Sequence, residues 1–94
     1  MTVHIVSDNK YFVSHSEEIL KAHYIEITDD LEEVDILILD IGARHIIGQG
    51  KRLTVVVSAW DLVKRNLPED TLFFLKPVDV EYMIWLVIDR KSVV

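Results

Sequence analysis

Between its two acids, the segment Val34-Asp35-Ile36-Leu37-Ile38-Leu39-Asp40-Ile41 is apolar on both alternating faces. A strand of that kind must be covered on both sides, as the central strand of a parallel sheet is. It also delivers a carboxylate to its tip, and ligands of α/β proteins gather at the carboxyl ends of the strands. Three more apolar runs end in a polar or charged side chain: Ile5-Val6-Ser7-Asp8, Val55-Val56-Val57-Ser58 and Phe73-Phe74-Leu75-Lys76. Parallel pairing would bring Asp8, Asp40, Ser58 and Lys76 to one edge of a sheet.

Helical patterns alternate with these runs. Val3 to Ser7 reads as the first strand. Lys10 to about His23 follows as a helix, with Phe12, Ile19, Leu20 and Ala22 as core candidates and Ser14, Ser16, Glu17 and Glu18 as polar positions. Tyr24 to Thr28 is a short second strand, and Asp29 to Glu33 can start no more than a turn or two of helix. Asp35 to Ile41 is the third strand. Residues 42–52 hold all three glycines without a clear period and read mostly as loop. Leu53 to Ser58 is strand four, Trp60 to Leu67 a short helix that Pro68 helps to end, and Leu72 to Leu75 strand five. Asp79 can cap a last helix from Val80 to about Arg90. Alternating strands and helices predict a flavodoxin-like α/β fold, a doubly wound five-stranded parallel sheet in the order 2-1-3-4-5 with helices two and three shortened or missing. Its switch point lies between strands one and three, which carry Asp8 and Asp40.

Size and composition narrow the class. Ninety-four residues with 50% hydrophobic content make one domain, 1–94, with a single core. The absence of cysteine excludes disulfides and thiolate metal sites and suits a reducing cytoplasm. A net charge of -6 argues against direct nucleic-acid binding, whose surfaces are basic. The longest uninterrupted apolar run, Tyr82 to Ile88, is too short to cross a bilayer, so no membrane span is expected. The four histidines, His4, His15, His23 and His45, are scattered without ligand spacing. A small nucleotide binder is disfavoured because no glycine-rich phosphate loop is present.

Two acids, a hydroxyl and an ammonium at one edge suit metal-assisted phosphoryl chemistry. Neighbouring carboxylates repel unless a cation neutralises them, and a hard oxygen site suits Mg²⁺. A carboxylate beside Mg²⁺ can attack a phosphoryl group and form an aspartyl phosphate. Asp40, on the central strand, is the natural nucleophile. Asp8 would bind the metal, Ser58 would hydrogen-bond a phosphoryl oxygen, and Lys76 would pair with the acidic group.

The whole chain resembles the response-regulator receiver domains of two-component signalling. The likeness rests on Asp8 after strand one, "DILILDI" ending in Asp40 and Ile41, Gly48 eight residues beyond Asp40, "VVVSA" with Ser58-Ala59, and "FFLKPVD" with Lys76-Pro77. It implies Asp40 as phosphoacceptor, Asp8 as metal acid, Ser58 as switch hydroxyl and Lys76 as the lysine partner of the acid. By the same likeness Phe73 is the switch aromatic, the backbone carbonyl of Gly42 is a metal ligand, and the Lys76–Pro77 peptide is cis. Departures point to a pared-down member. Ser7 stands where the family usually has a second acid, which should weaken the Mg²⁺ site. Arg44 replaces a common proline, and Ser58 follows Asp40 by only 18 positions, too few for a full helix three.

The resemblance implies a phosphorelay: a histidine kinase donates the phosphoryl group, and an effector domain in the same or another chain receives the signal. Beyond self-phosphorylation and autodephosphorylation no enzyme activity is implied. The competing function is a phosphorylation-independent pseudo-receiver that works by dimerisation or docking. The expected domain would be the N-terminal part of a longer regulator. The last helix adds a further expectation. Val80, Ile84, Val87 and Ile88 recur at three- and four-residue spacing as its core stripe, leaving Tyr82, Trp85 and Leu86 near the opposite side. Exposed aromatics of that kind are typical interface anchors, so a homodimer through this helix, with Trp60 at its rim, is expected.

Overall fold

The computed structural model describes residues 1–40, 53–67 and 71–92. Five strands form one all-parallel sheet: β1 (Thr2–Ser7), β2 (Glu26–Ile27), β3 (Ile36–Asp40), β4 (Leu53–Ser58) and β5 (Leu72–Leu75). Their order is β2-β1-β3-β4-β5, the order expected from the alternating pattern. All five residues of β3 are buried, which explains why that strand is apolar on both faces.

Pleating sorts the side chains into two layers. Val3, Ile36, Ile38, Val55 and Val57 pack with Phe12 and Leu20 of helix α1 (Lys10–Ala22) and with Met83, Ile84 and Val87 of helix α2 (Val80–Ser92). On the other face Leu37, Leu39 and Val56 form a smaller cluster with Phe73 and with Val63 and Leu67. Helices α1 and α2 therefore cover the same face. The segment Trp60 to Leu67 is not an α-helix but a 3-10 helix at Asp61–Asn66, with no side-chain cap among the described residues, and its Val63 closes the opposite layer beside Leu67.

Local chemistry explains the element ends. Asn9 caps α1, its Oδ1 accepting the N–H groups of Tyr11 (3.0 Å) and Phe12 (3.3 Å). No helix forms between β2 and β3. There Thr28 Oγ1 accepts the Asp30 N–H and Asp30 Oδ1 accepts the Glu32 N–H, so side chains take the amides a helix would have used. Strand two is shorter than Tyr24 to Thr28 because Tyr24 has a left-handed backbone, φ 59°, that ends α1 and cannot join a ladder. At the start of the sheet, Asp35 Oδ2 accepts the Thr2 N–H at 2.9 Å and anchors β1 beside β3.

Several expected positions are corrected by packing. Ala22 lies exposed at the end of α1, whereas Ser16, expected on the polar face, is fully buried where α1 meets the core. In α2, Met83 is fully buried with Ile84 and Val87, while Val80 and Ile88 only flank the core. Leu86 is half-buried rather than solvent-facing; Tyr82 and Trp85 remain exposed, at 61% and 58%.

Candidate functional site

The carboxyl edge of the sheet carries the site, and strand register decides who meets whom. Ser7 of β1 lies directly across from Asp40 of β3, and Asp40 lies across from Val57 of β4. Side chains that pair in register share a face. Asp40 therefore points to the side covered by α1, along with Ile36 and Ile38. Lys76, one residue past β5, reaches the same side.

Asp40 is nearly buried, its side chain 4% exposed, and both carboxylate oxygens are engaged. Oδ1 forms an ion pair with Lys76 Nζ. Oδ2 accepts the Ser7 hydroxyl at 2.6 Å, a short charge-assisted bond. Burial of a carboxylate without such partners would cost several kcal/mol, on the order of the desolvation of a single ion. The Lys76 side chain is 34% exposed, and its ammonium sits 6.0 Å from the centroid of the Phe12 ring, a cation–π distance. The Lys76–Pro77 peptide is cis, as the family resemblance implies, and the Lys76 N–H donates to the Ser58 carbonyl at 2.9 Å.

A cleft opens from this pair to solvent between Asp8, Asn9, Lys10, Tyr11, Asp40 and Lys76. Asp8 is exposed and lines the cleft without a hydrogen bond to Asp40. No group of three or more acids or histidines that could hold a metal ion occurs among the described residues. Ser58 ends β4, nearly fully buried. Being one residue beyond Val57, it falls on the face of Thr54 and Val56, away from the Asp40 carboxylate. Its Oγ accepts the Trp60 N–H at 3.0 Å and makes no bond to Asp40 or Lys76. Phe73 is half-buried against the Leu37, Leu39 and Val56 cluster. Gly42, expected as a metal ligand through its carbonyl, lies outside the described residues, as do Arg44 and Gly48.

Two participants escape a reading of the sequence. Ser7 reads there only as a missing acid, yet its hydroxyl holds Asp40 Oδ2 while Lys76 holds Oδ1. The signal for it was available, since strands one and three end at the same level if the sheet is parallel. Phe12 reads as plain core, and its place beneath Lys76 emerges only when α1 folds over the β1 and β3 tips.

The same architecture occurs in solved structures. The receiver domain of the hybrid histidine kinase CckA superposes with a TM-score of 0.70 at 18% identity, covering 97% of this chain and 99% of that one. The response regulatory domain of mrkE from Klebsiella pneumoniae gives 0.70 at 19% identity, covering 99% and 97%. A response regulator from Thermotoga maritima gives 0.68 at 15%, covering 97% of each chain. The chain has the receiver-domain fold. No family model matches it, and no curated protein does. At these identities the likeness is one of fold, so what the site does must be drawn from its own residues. Among those described, no helix is long and apolar enough to cross a membrane.

Proposed function

We propose that the chain is a response-regulator receiver domain that accepts a phosphoryl group on Asp40 from a histidine kinase. The Asp40–Lys76 ion pair, set at the tip of the central strand and open to a cleft lined by Asp8, carries this conclusion. In the transfer, a carboxylate oxygen of Asp40 attacks the phosphorus of a phosphohistidine. The P–O bond forms as the P–N bond breaks, and the leaving imidazole nitrogen keeps the electron pair and is protonated from solvent. Lys76, released from the free carboxylate, offers its ammonium to the phosphoryl oxygens. Ser58 would exchange its bond to the Trp60 N–H for one to the phosphoryl group, and Phe73 would move with it.

Asp8 and Asp40 are the carboxylates that would hold Mg²⁺, which needs only one or two of them because it keeps several waters. Their common cleft fits that requirement, and each oxygen of Asp40, beside its bond to Ser7 or Lys76, keeps a lone pair that a cation could use. Bound there, the cation would neutralise charge developing on the transferred group. Signal would pass to an effector domain in the same or another chain, in the cytoplasm, with a homodimer through α2 as the assembly.

A second reading draws on one observation: Lys76 and Ser7 already satisfy both oxygens of Asp40, as suits a pseudo-receiver that acts by contacts alone. Intact-mass measurement after incubation with Mg²⁺ and a small acyl phosphate separates the two. One phosphoryl group added to the wild type and none to Asp40→Asn is the expected result. An unmodified wild type would leave the contact-only function standing.

A further inference from the structure

We propose that Ser7 is a positioning residue that holds Asp40 partly closed to a hard cation: its hydroxyl takes up one lone pair of Oδ2 and lowers the pull of that oxygen on the metal. The proposal rests on Asp40 being the reactive carboxylate. It concerns how that carboxylate is made available.

The hydroxyl has one hydrogen, and its geometry is set from both sides. Ser7 pairs in register with Asp40 across β1 and β3, which brings its Oγ to 2.6 Å from Oδ2. Its lone pairs face the other way, where Oγ accepts the Asn9 N–H at 3.0 Å. A contact to the Asn9 carbonyl at 3.5 Å competes weakly for the hydrogen and is too long to win it. Asn9 is itself fixed as the cap of α1 through Tyr11 and Phe12. A continuous chain of hydrogen bonds thus runs from the first turn of α1 through Asn9 and Ser7 to Asp40. On the far side Lys76 occupies Oδ1.

An acid at position 7 would repel Asp40 and leave both carboxylates in need of a cation. Serine does the opposite: it donates to Asp40 and removes that need. Neutral, short and fixed by its neighbour, it competes with the metal for Oδ2 instead of joining it. The only other acid in the cleft among the described residues, Asp8, is exposed and carries no such restraint. Any motion of the α1 cap, such as a partner contact at Lys10 or Tyr11 would cause, acts on Asp40 through this chain.

Calorimetric titration of Mg²⁺ into the wild type, Ser7→Ala and Ser7→Thr tests the proposal, with acyl-phosphate labelling followed in parallel by intact mass. Ser7→Ala is expected to bind Mg²⁺ about tenfold more tightly, the worth of one hydrogen bond to a charged acceptor. Ser7→Thr, which keeps the hydroxyl, is expected to return the affinity to the wild-type value. Ser7→Ala binding no more tightly than the wild type overturns the proposal, whether or not Asp40 is labelled. A tightened affinity without labelling in any variant supports the closed-carboxylate role while refuting the phosphoacceptor function. Thermal melts of all three proteins confirm that the comparison is among folded chains.

Discussion

Tyr24 is the one described residue other than glycine with a positive φ, 59°, and it carries a bulky side chain that is 98% exposed. Its neighbours explain the conformation. The Ile25 N–H donates to the Leu20 carbonyl and the Tyr24 N–H to the Lys21 carbonyl, both at 3.0 Å, which is the Schellman arrangement closing a helix C-terminus. Ile25 and Leu20 are both buried in the main core, which supplies the apolar contact that accompanies the motif. Glycine is the usual residue at this position because a Cβ is penalised there by roughly 1 kcal/mol. Tyr24→Gly should therefore raise stability by about 0.5–1 kcal/mol, less the greater freedom of glycine in the unfolded chain. Urea denaturation with an unchanged m-value would measure it. Ser16 poses a different problem. It is fully buried and its hydroxyl has no hydrogen-bond partner among the described residues, so its desolvation goes uncompensated. Ser16→Ala keeps the small volume and should stabilise by about 1 kcal/mol. A lower melting temperature for Ser16→Ala would mean that the hydroxyl is satisfied in solution.

At the scale of elements, α2 shows where periodicity succeeds and where it fails. Its start at Val80 agrees with the expected cap, since Asp79 Oδ1 accepts the Tyr82 N–H at 3.1 Å. Its buried stripe does not follow from spacing. The run from Tyr82 to Ile88 is apolar on every side, so the wheel offers several stripes, and α1 with the sheet chooses the one through Met83, Ile84 and Val87. Met83→Ala should thus cost about 2–5 kcal/mol, as large-to-small changes in a packed core do. Tyr82→Ala should change stability by less than about 0.5 kcal/mol, as exposed positions do. Equal losses in a denaturant series would reverse this assignment of faces. The β-strands were easier to read because a period of two offers only two faces. β4 and β5 have the bounds their sequences suggest.

For the whole molecule, the unassigned feature is the apolar surface left on α2. Tyr82 and Trp85 are exposed on that helix, whereas Trp60, expected at the rim of the same surface, is 62% exposed at the head of the 3-10 helix, whose Val63 packs on the opposite face of the sheet. Burying such rings in a second copy is worth a few kcal/mol at about 25 cal/mol per Å², before the entropy of association is subtracted. If the domain dimerises through α2, sedimentation should show a dimer at high micromolar concentration and a monomer for Trp85→Glu. A wild-type monomer that the substitution leaves unchanged would remove homodimerisation from the proposed function.

By itself, the sequence determined the class of fold. Apolar runs of strand length that end in polar side chains, separated by amphipathic helices, leave a parallel sheet with its polar tips on one edge as the economical solution. Asp40 and Lys76 could be picked out because each follows such a run. What only the tertiary structure decided is which tips share a face. Ser7 and Asp40 are 33 positions apart, and their contact exists because β1 and β3 pair in one particular register. Ser58, a single residue past Val57, is turned to the other side by the same pleat. A shift of one residue in a strand reverses every side chain, and local composition carries no record of it. Register depends on how two distant segments bury their apolar faces against α1 and α2, and that is settled only when the chain packs.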